Sequence, residues 1–133
     1  MARGGAGSNS PQVFARYWLP VVAYVALIFV LSAQPGLNPP VRFQNSDKLL
    51  HLLEYGVLGL LFARALRASM PARSWLFTSL LALGVGLGIG ACDEYFQSFI
   101  PGRDSTVFDW LADGTGLTFA QLVYLAAARE PKG

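Results

Sequence analysis

The sequence predicts an all-α integral membrane protein, a four-helix bundle with both termini in the cytoplasm. Apolar residues make up 53% of the 133 residues and charged residues only 14%, against roughly 25% charged in soluble domains. Tyr17 to Ala33 and Trp75 to Cys92 carry no charge and match the ~20 residues a helix needs to cross ~30 Å of hydrocarbon. The ten basic residues also sort by side: Arg3, Arg16, Arg64, Arg67, Arg73, Arg129 and Lys132 on one, Arg42, Lys48 and Arg103 on the other. Seven against three places the first side in the cytoplasm by the positive-inside rule.

Residues 1–12, rich in Gly and Ser, read as a disordered cytoplasmic tail. A single domain over 13–133 follows, with spans at about 14–33, 47–67, 74–98 and 106–128. Span one begins near Phe14, with Pro20 in or near its first turn, and Pro35 with Gly36 stops it. A competing reading takes this segment as a secretory signal, since Arg3 and Arg16 precede an apolar run ending in "LSAQ". The remaining spans keep their orientation either way. The lone Cys92 allows no intramolecular disulfide and reads as a small packing residue.

Leu49 to Ala65 and Phe108 to Ala128 have the length of spans but carry His51 and Glu54 in one and Asp109 and Asp113 in the other. Both read as spans with polar outer ends. Ser46 suits the N-cap of span two, with Asp47 in its first turn. In span three, "GVGLGIG" lacks the strand before and helix after that a phosphate loop requires. Gly84 with Gly88, and Gly86 with Gly90, instead read as small-residue pairs that admit a neighbouring helix. Pro101 and Gly102 make the outer turn before span four, which Ser105 or Thr106 can cap.

The stretch "DEYFQSFIPGRDSTVFDWLAD" places five carboxylates in 21 residues, directly after 18 without charge. Helical spacing puts Asp47, His51 and Glu54 on one face of span two, Asp109, Asp113 and Gly116 on one face of span four, and Asp93 and Gln97 on span three with Glu94 alongside. A carboxylate at mid-bilayer costs about 2.5–3.5 kcal/mol on insertion scales. These residues therefore sit near the outer interface, face one another across the bundle, or both. A rise of about 1.5 Å per residue carries His51 about 6 Å and Glu54 about 10 Å inward from Asp47, so the stripe forms a funnel from outside.

Seven acids (Asp47, Glu54, Asp93, Glu94, Asp104, Asp109, Asp113) against Arg42, Lys48 and Arg103 leave this outer half at a formal minus four. Either some of the acids hold protons or something positive binds. Oxygen ligands with one imidazole suit a divalent cation such as Mg, Ca or Mn, drawn from Asp47, His51, Glu94, Asp109 and Asp113. Alternatively His51 and a carboxylate such as Glu94 serve as general base and acid. A structural network is the bland account of each residue singly, and Glu54 and Asp104 are read as interface or loop charges.

"SAQP", "DKLLHLLEYGVLG", "DEYFQSFIPGR" and "STVFDWLADGTG", in that order, resemble the motifs of the VanZ-like membrane proteins, from about Ser32 to Ala120. The resemblance implies a small bacterial inner-membrane protein of a family whose founder is associated with low-level teicoplanin resistance. It places the family pattern on Ser32, Gln34, Asp47, Lys48, His51, Tyr55, Asp93, Glu94, Gln97, Pro101, Arg103, Asp109 and Gly116. This chain has Asp113 where the family commonly has asparagine, and Ala120 where glycine is frequent.

Two functions lead, ahead of a transporter or proton-coupled relay and a purely structural partner protein. The first is an outward-facing pocket for the polar or phosphate headgroup of an envelope lipid or cell-wall precursor, with Arg103 and Lys48 on the anion and the carboxylates on a cation or amine. The second is a membrane-embedded hydrolase or transferase centred on His51, Glu94 and Asp109. The expected partners are a membrane lipid or lipid-linked envelope precursor and further copies of the chain, with no nucleic acid.

Overall fold

The computed structural model describes residues 11–35 and 45–128. Among them are four helices: α1 (Pro11–Ser32), α2 (Ser46–Ser69), α3 (Trp75–Gln97) and α4 (Val107–Ala128). Three of these, α1 to α3, are long and apolar enough to cross a membrane. In α4 two aspartates, two glycines and Gln121 dilute an apolar stretch of similar length. Of the tail expected at residues 1–12, positions 1–10 lie outside the described residues, as do Gly36, Arg42, Arg129 and Lys132, and Pro11 and Gln12 belong to α1.

The helix starts differ from the sequence reading in two instructive places. Because α1 begins at Pro11, Pro20 falls inside it. A proline there lacks an N–H and crowds the carbonyl four residues back. One wide π turn over Phe14–Trp18, with Leu19 N–H donating to the Phe14 carbonyl, precedes and accommodates it. At α2, Ser46 is already helical, and Asn45 precedes it in the left-handed region at φ 65°, without a capping side-chain bond. Asparagine is among the few residues that adopt this conformation readily.

Helices α2 and α4 run parallel as the central pair and nearly touch through glycine. A Cβ added at Gly116 would strike the Leu52 carbonyl oxygen, and one at Gly59 would come within 2.7 Å of the Ala120 Cβ. Helix α3 fits against α4 by the same device, since a Cβ at Gly86 would come within 2.6 Å of the Leu117 side chain. Gly84 and Gly88, expected to pack, face open space instead, with nothing within 4 Å of an added Cβ. Two interleaved pairs of equal spacing point to different faces, and only the Gly86 and Gly90 face meets α4.

Tyr55, Leu58, Phe62, Ala82 and Leu117 form the centre of the buried core. Outward the chain is greasy, with Val22, Val30, Leu76, Leu80, Phe119 and Leu122 all exposed, as suits hydrocarbon surroundings. Helix α1 is the least enclosed. It is fastened to α2 near one end by Trp18 Nε1 donating to Ser69 Oγ at 2.7 Å, and midway by the Tyr24 hydroxyl donating to the Glu54 carbonyl at 2.9 Å.

The two ends of the bundle contrast. At one, Arg64 lies over Tyr17, Arg67 over Trp75 at 3.9 Å from the ring centre, and Arg73 over Phe77. Guanidinium on aromatic faces is a pairing suited to a membrane–water boundary. The other end carries the carboxylates.

Candidate functional site

Each helix delivers its polar residues to the carboxylate end by its own period. His51 comes from the second turn of α2, Glu94 from the last turn of α3, and Asp109 and Asp113 from successive turns of α4. The loop between α3 and α4 sets their register. Gly102 takes φ 77°, a left-handed value open to glycine, and Arg103 N–H closes the turn on the Ile100 carbonyl. Thr106 Oγ1 then accepts the Asp109 N–H at 3.2 Å as the cap of α4. Ser105, the other expected cap, donates instead to Glu94, at 2.7 Å to its carbonyl and 2.8 Å to Oε2.

Asp113 is fully buried, and its Oδ1 lies 2.8 Å from His51 Nδ1. Glu94 Oε1 is 3.7 Å from the same nitrogen. Lys48 Nζ reaches Asp109 Oδ1 at 3.5 Å and Asp47 Oδ2 at 3.2 Å, linking the buried Asp109 to the exposed Asp47 at the rim. A ligand atom from each of His51, Glu94 and Asp109 lies within 4.8 Å of the other two. Glu94 Oε1 and Asp113 Oδ2 are buried and have no hydrogen-bond partner. For carboxylate oxygens this is a costly arrangement unless something else meets them.

A second group adjoins the first. Gln97 Nε2 donates to Ser32 Oγ at 3.0 Å and to Asp93 Oδ2 at 3.2 Å, and the Tyr55 hydroxyl donates to the same oxygen at 3.4 Å. All four residues are buried, and Asp93 Oδ1 has no hydrogen-bond partner. Gly90 permits the junction of the two groups. A Cβ there would crowd Asp113 Oδ2 at 3.1 Å, Trp110 at 3.3 Å and Tyr55 at 3.4 Å.

Between α1 and α2 lies a groove of about 490 Å³. Leu27, Ile28, Leu31, Leu50, Leu53 and Val57 give it apolar walls, and Asp47, His51, Glu54, Gln97 and Arg103 line its polar part. Thus Asp47, Lys48, His51, Tyr55, Asp93, Glu94, Gln97, Arg103, Asp109 and Asp113 all fall within the two groups or the groove beside them. Gln34 does not: it lies just past the end of α1, is exposed, and its side-chain amide donates back to the Val30 carbonyl of that helix.

Sequence reasoning passed over two residues. Glu54, read as an interface charge, lines the groove with His51, and its place on the Asp47 and His51 face was the available signal. Ser105 positions Glu94 from 11 residues away, an interaction that no helical period reveals.

Over 103 residues, 77% of its length, the chain is 29% identical to an uncharacterized protein of Schizosaccharomyces pombe. The chain spans only 61% of that relative's length. No solved structure matches it. The family model for VanZ/LLP1 matches residues 9–128 and takes in all four helices from Pro11 to Ala128, so the chain belongs to the VanZ/LLP1 family.

Proposed function

We propose that this protein holds the polar or phosphate headgroup of an envelope lipid or lipid-linked cell-wall precursor. The supporting observation is the groove between α1 and α2, whose walls are apolar while His51, Glu54, Gln97 and Arg103 line its polar part. An amphiphile has this division of chemistry, and about 490 Å³ falls among ordinary ligand pockets of ~300–1,000 Å³. Arg103 offers a planar donor fork suited to phosphate. Lys48 adds a point charge at the rim, where it already pairs with Asp47 and Asp109.

The carboxylate end faces outward in this reading. Arg16, Arg64, Arg67 and Arg73 gather at the opposite end, which the positive-inside rule assigns to the cytoplasm of a bacterial inner membrane. The site would then meet precursors on the outer leaflet, where a bound cell-wall intermediate is shielded from a glycopeptide. Untargeted lipid mass spectrometry of the protein purified in mild detergent tests the proposal. One lipid class should be enriched over bulk membrane, and Arg103→Gln should remove most of that enrichment. Bulk composition in the parent and the variant alike rules the reading out.

One observation favours a second reading, a hydrolase or transferase on the same lipid. His51 is held by a buried carboxylate at 2.8 Å, with Glu94 at 3.7 Å, the arrangement of a base with its orienting group and a neighbouring acid. Glu94→Gln separates the two: retained lipid with lost turnover supports an enzyme. Retained lipid and no turnover in the parent supports a binding protein.

A further inference from the structure

We infer that His51, Glu94 and Asp109 form a binding site for a divalent cation that bridges the protein to the headgroup phosphate. This rests on the headgroup reading above and names its cofactor. Three helices bring the ligand atoms within 4.8 Å of one another, so drawing them in to the ~3.0–4.2 Å spacing of an octahedral ion with bonds near ~2.1 Å takes only small side-chain shifts.

Two further observations point to a ligand at the cluster. Glu94 is more than nine-tenths buried, and its Oε2 is fixed by Ser105 at 2.8 Å. That leaves Oε1 facing His51 without a hydrogen-bond partner of its own. Asp113, fully buried and 2.8 Å from Nδ1, sets the rotation of the imidazole, as a carboxylate commonly does beside a ligating histidine. Formal charge points the same way. Glu94, Asp109 and Asp113, with Asp47 at the rim, are four carboxylates against one ammonium, that of Lys48, which is shared between Asp47 and Asp109. Such an excess of negative charge favours a bound cation.

One imidazole with two carboxylates suits Mg or Mn better than a closed thiolate-type zinc site. Asp47 stays outside the trio, more than half exposed and paired to Lys48. Its place in the wider expected ligand set is the rim. Lys48 is a competitor, because its ammonium occupies one side of Asp109 that the ion would neutralise.

The test uses the full chain in detergent micelles, stripped with chelator and titrated with Mn2+, with free Mn2+ followed by electron paramagnetic resonance. One ion per chain is expected. Glu94→Gln and Asp109→Asn should each weaken binding by about tenfold or more. Lys48→Met should tighten it while loosening lipid, and this opposed pair of changes does not arise from misfolding. Absent stoichiometric binding, or binding indifferent to Glu94→Gln and Asp109→Asn, overturns the site. Lipid that stays bound through chelation, with no Mn2+ uptake, rejects the cation and leaves the headgroup reading intact. Mn2+ uptake without enriched lipid keeps the ion and rejects the bridge.

Discussion

Asp113 shows how much depends on one carboxylate in this fold. It is fully buried, touches His51 through one oxygen, and leaves the other without a hydrogen-bond partner against Gly90. Asp113→Asn keeps an oxygen acceptor and removes one charge, so the protein should remain folded. Asp113→Leu strips His51 of its partner and should cost about 1–3 kcal/mol, seen as earlier thermal unfolding in detergent. Tyr55→Phe should cost less, under about 1 kcal/mol, because its bond to Asp93 is long at 3.4 Å. Spacing alone made much of this cluster legible, since Asp109 and Asp113, like Asp47 and His51, lie one helical turn apart. Gln34 was not, because whether a residue at a helix end turns inward or back along its own helix depends on neighbours that no period encodes.

For the elements, glycine placement decides how closely helices meet. Gly116→Ala drives a methyl group into the Leu52 carbonyl of α2, and backbone cannot yield as a flexible side chain can. Destabilisation of about 1–3 kcal/mol is expected, as the methyl group pushes α4 away from α2 and draws Asp113 out of hydrogen-bonding reach of His51. Gly84→Ala meets nothing within 4 Å and should leave stability unchanged or slightly raised. Comparing the two by thermal unfolding checks the assigned interface. Two helices were readable from charge-free length and two from apolar stretches of span length with polar outer ends, and Pro101 with Gly102 marked the turn between α3 and α4. The choice between Gly84/Gly88 and Gly86/Gly90 was not, because identical spacing carries no information about which side the neighbour occupies. Ala120 is a related case: Gly59 opposite supplies the room for its methyl group.

At the scale of the whole molecule, the gathering of Arg16, Arg64, Arg67 and Arg73 at the end opposite the carboxylates predicts orientation. In a Cys92→Ser background, Thr106→Cys should react with an impermeant maleimide applied to intact cells, whereas Ala72→Cys should react only after lysis. Both positions are exposed and lie at opposite ends. The reverse pattern would turn the groove toward the cytoplasm and exclude outer-leaflet precursors as ligands.

The loose fastening of α1 bears on how any amphiphile would arrive. Its hydroxyl and indole bonds to α2, with Gln97 on Ser32, hold it along one side of the groove. A lipid need never leave its leaflet: it would slide in edgewise between α1 and α2, tail already in hydrocarbon. Capture would then follow two-dimensional traffic in the bilayer, speeding and slowing with membrane fluidity rather than with any concentration in water.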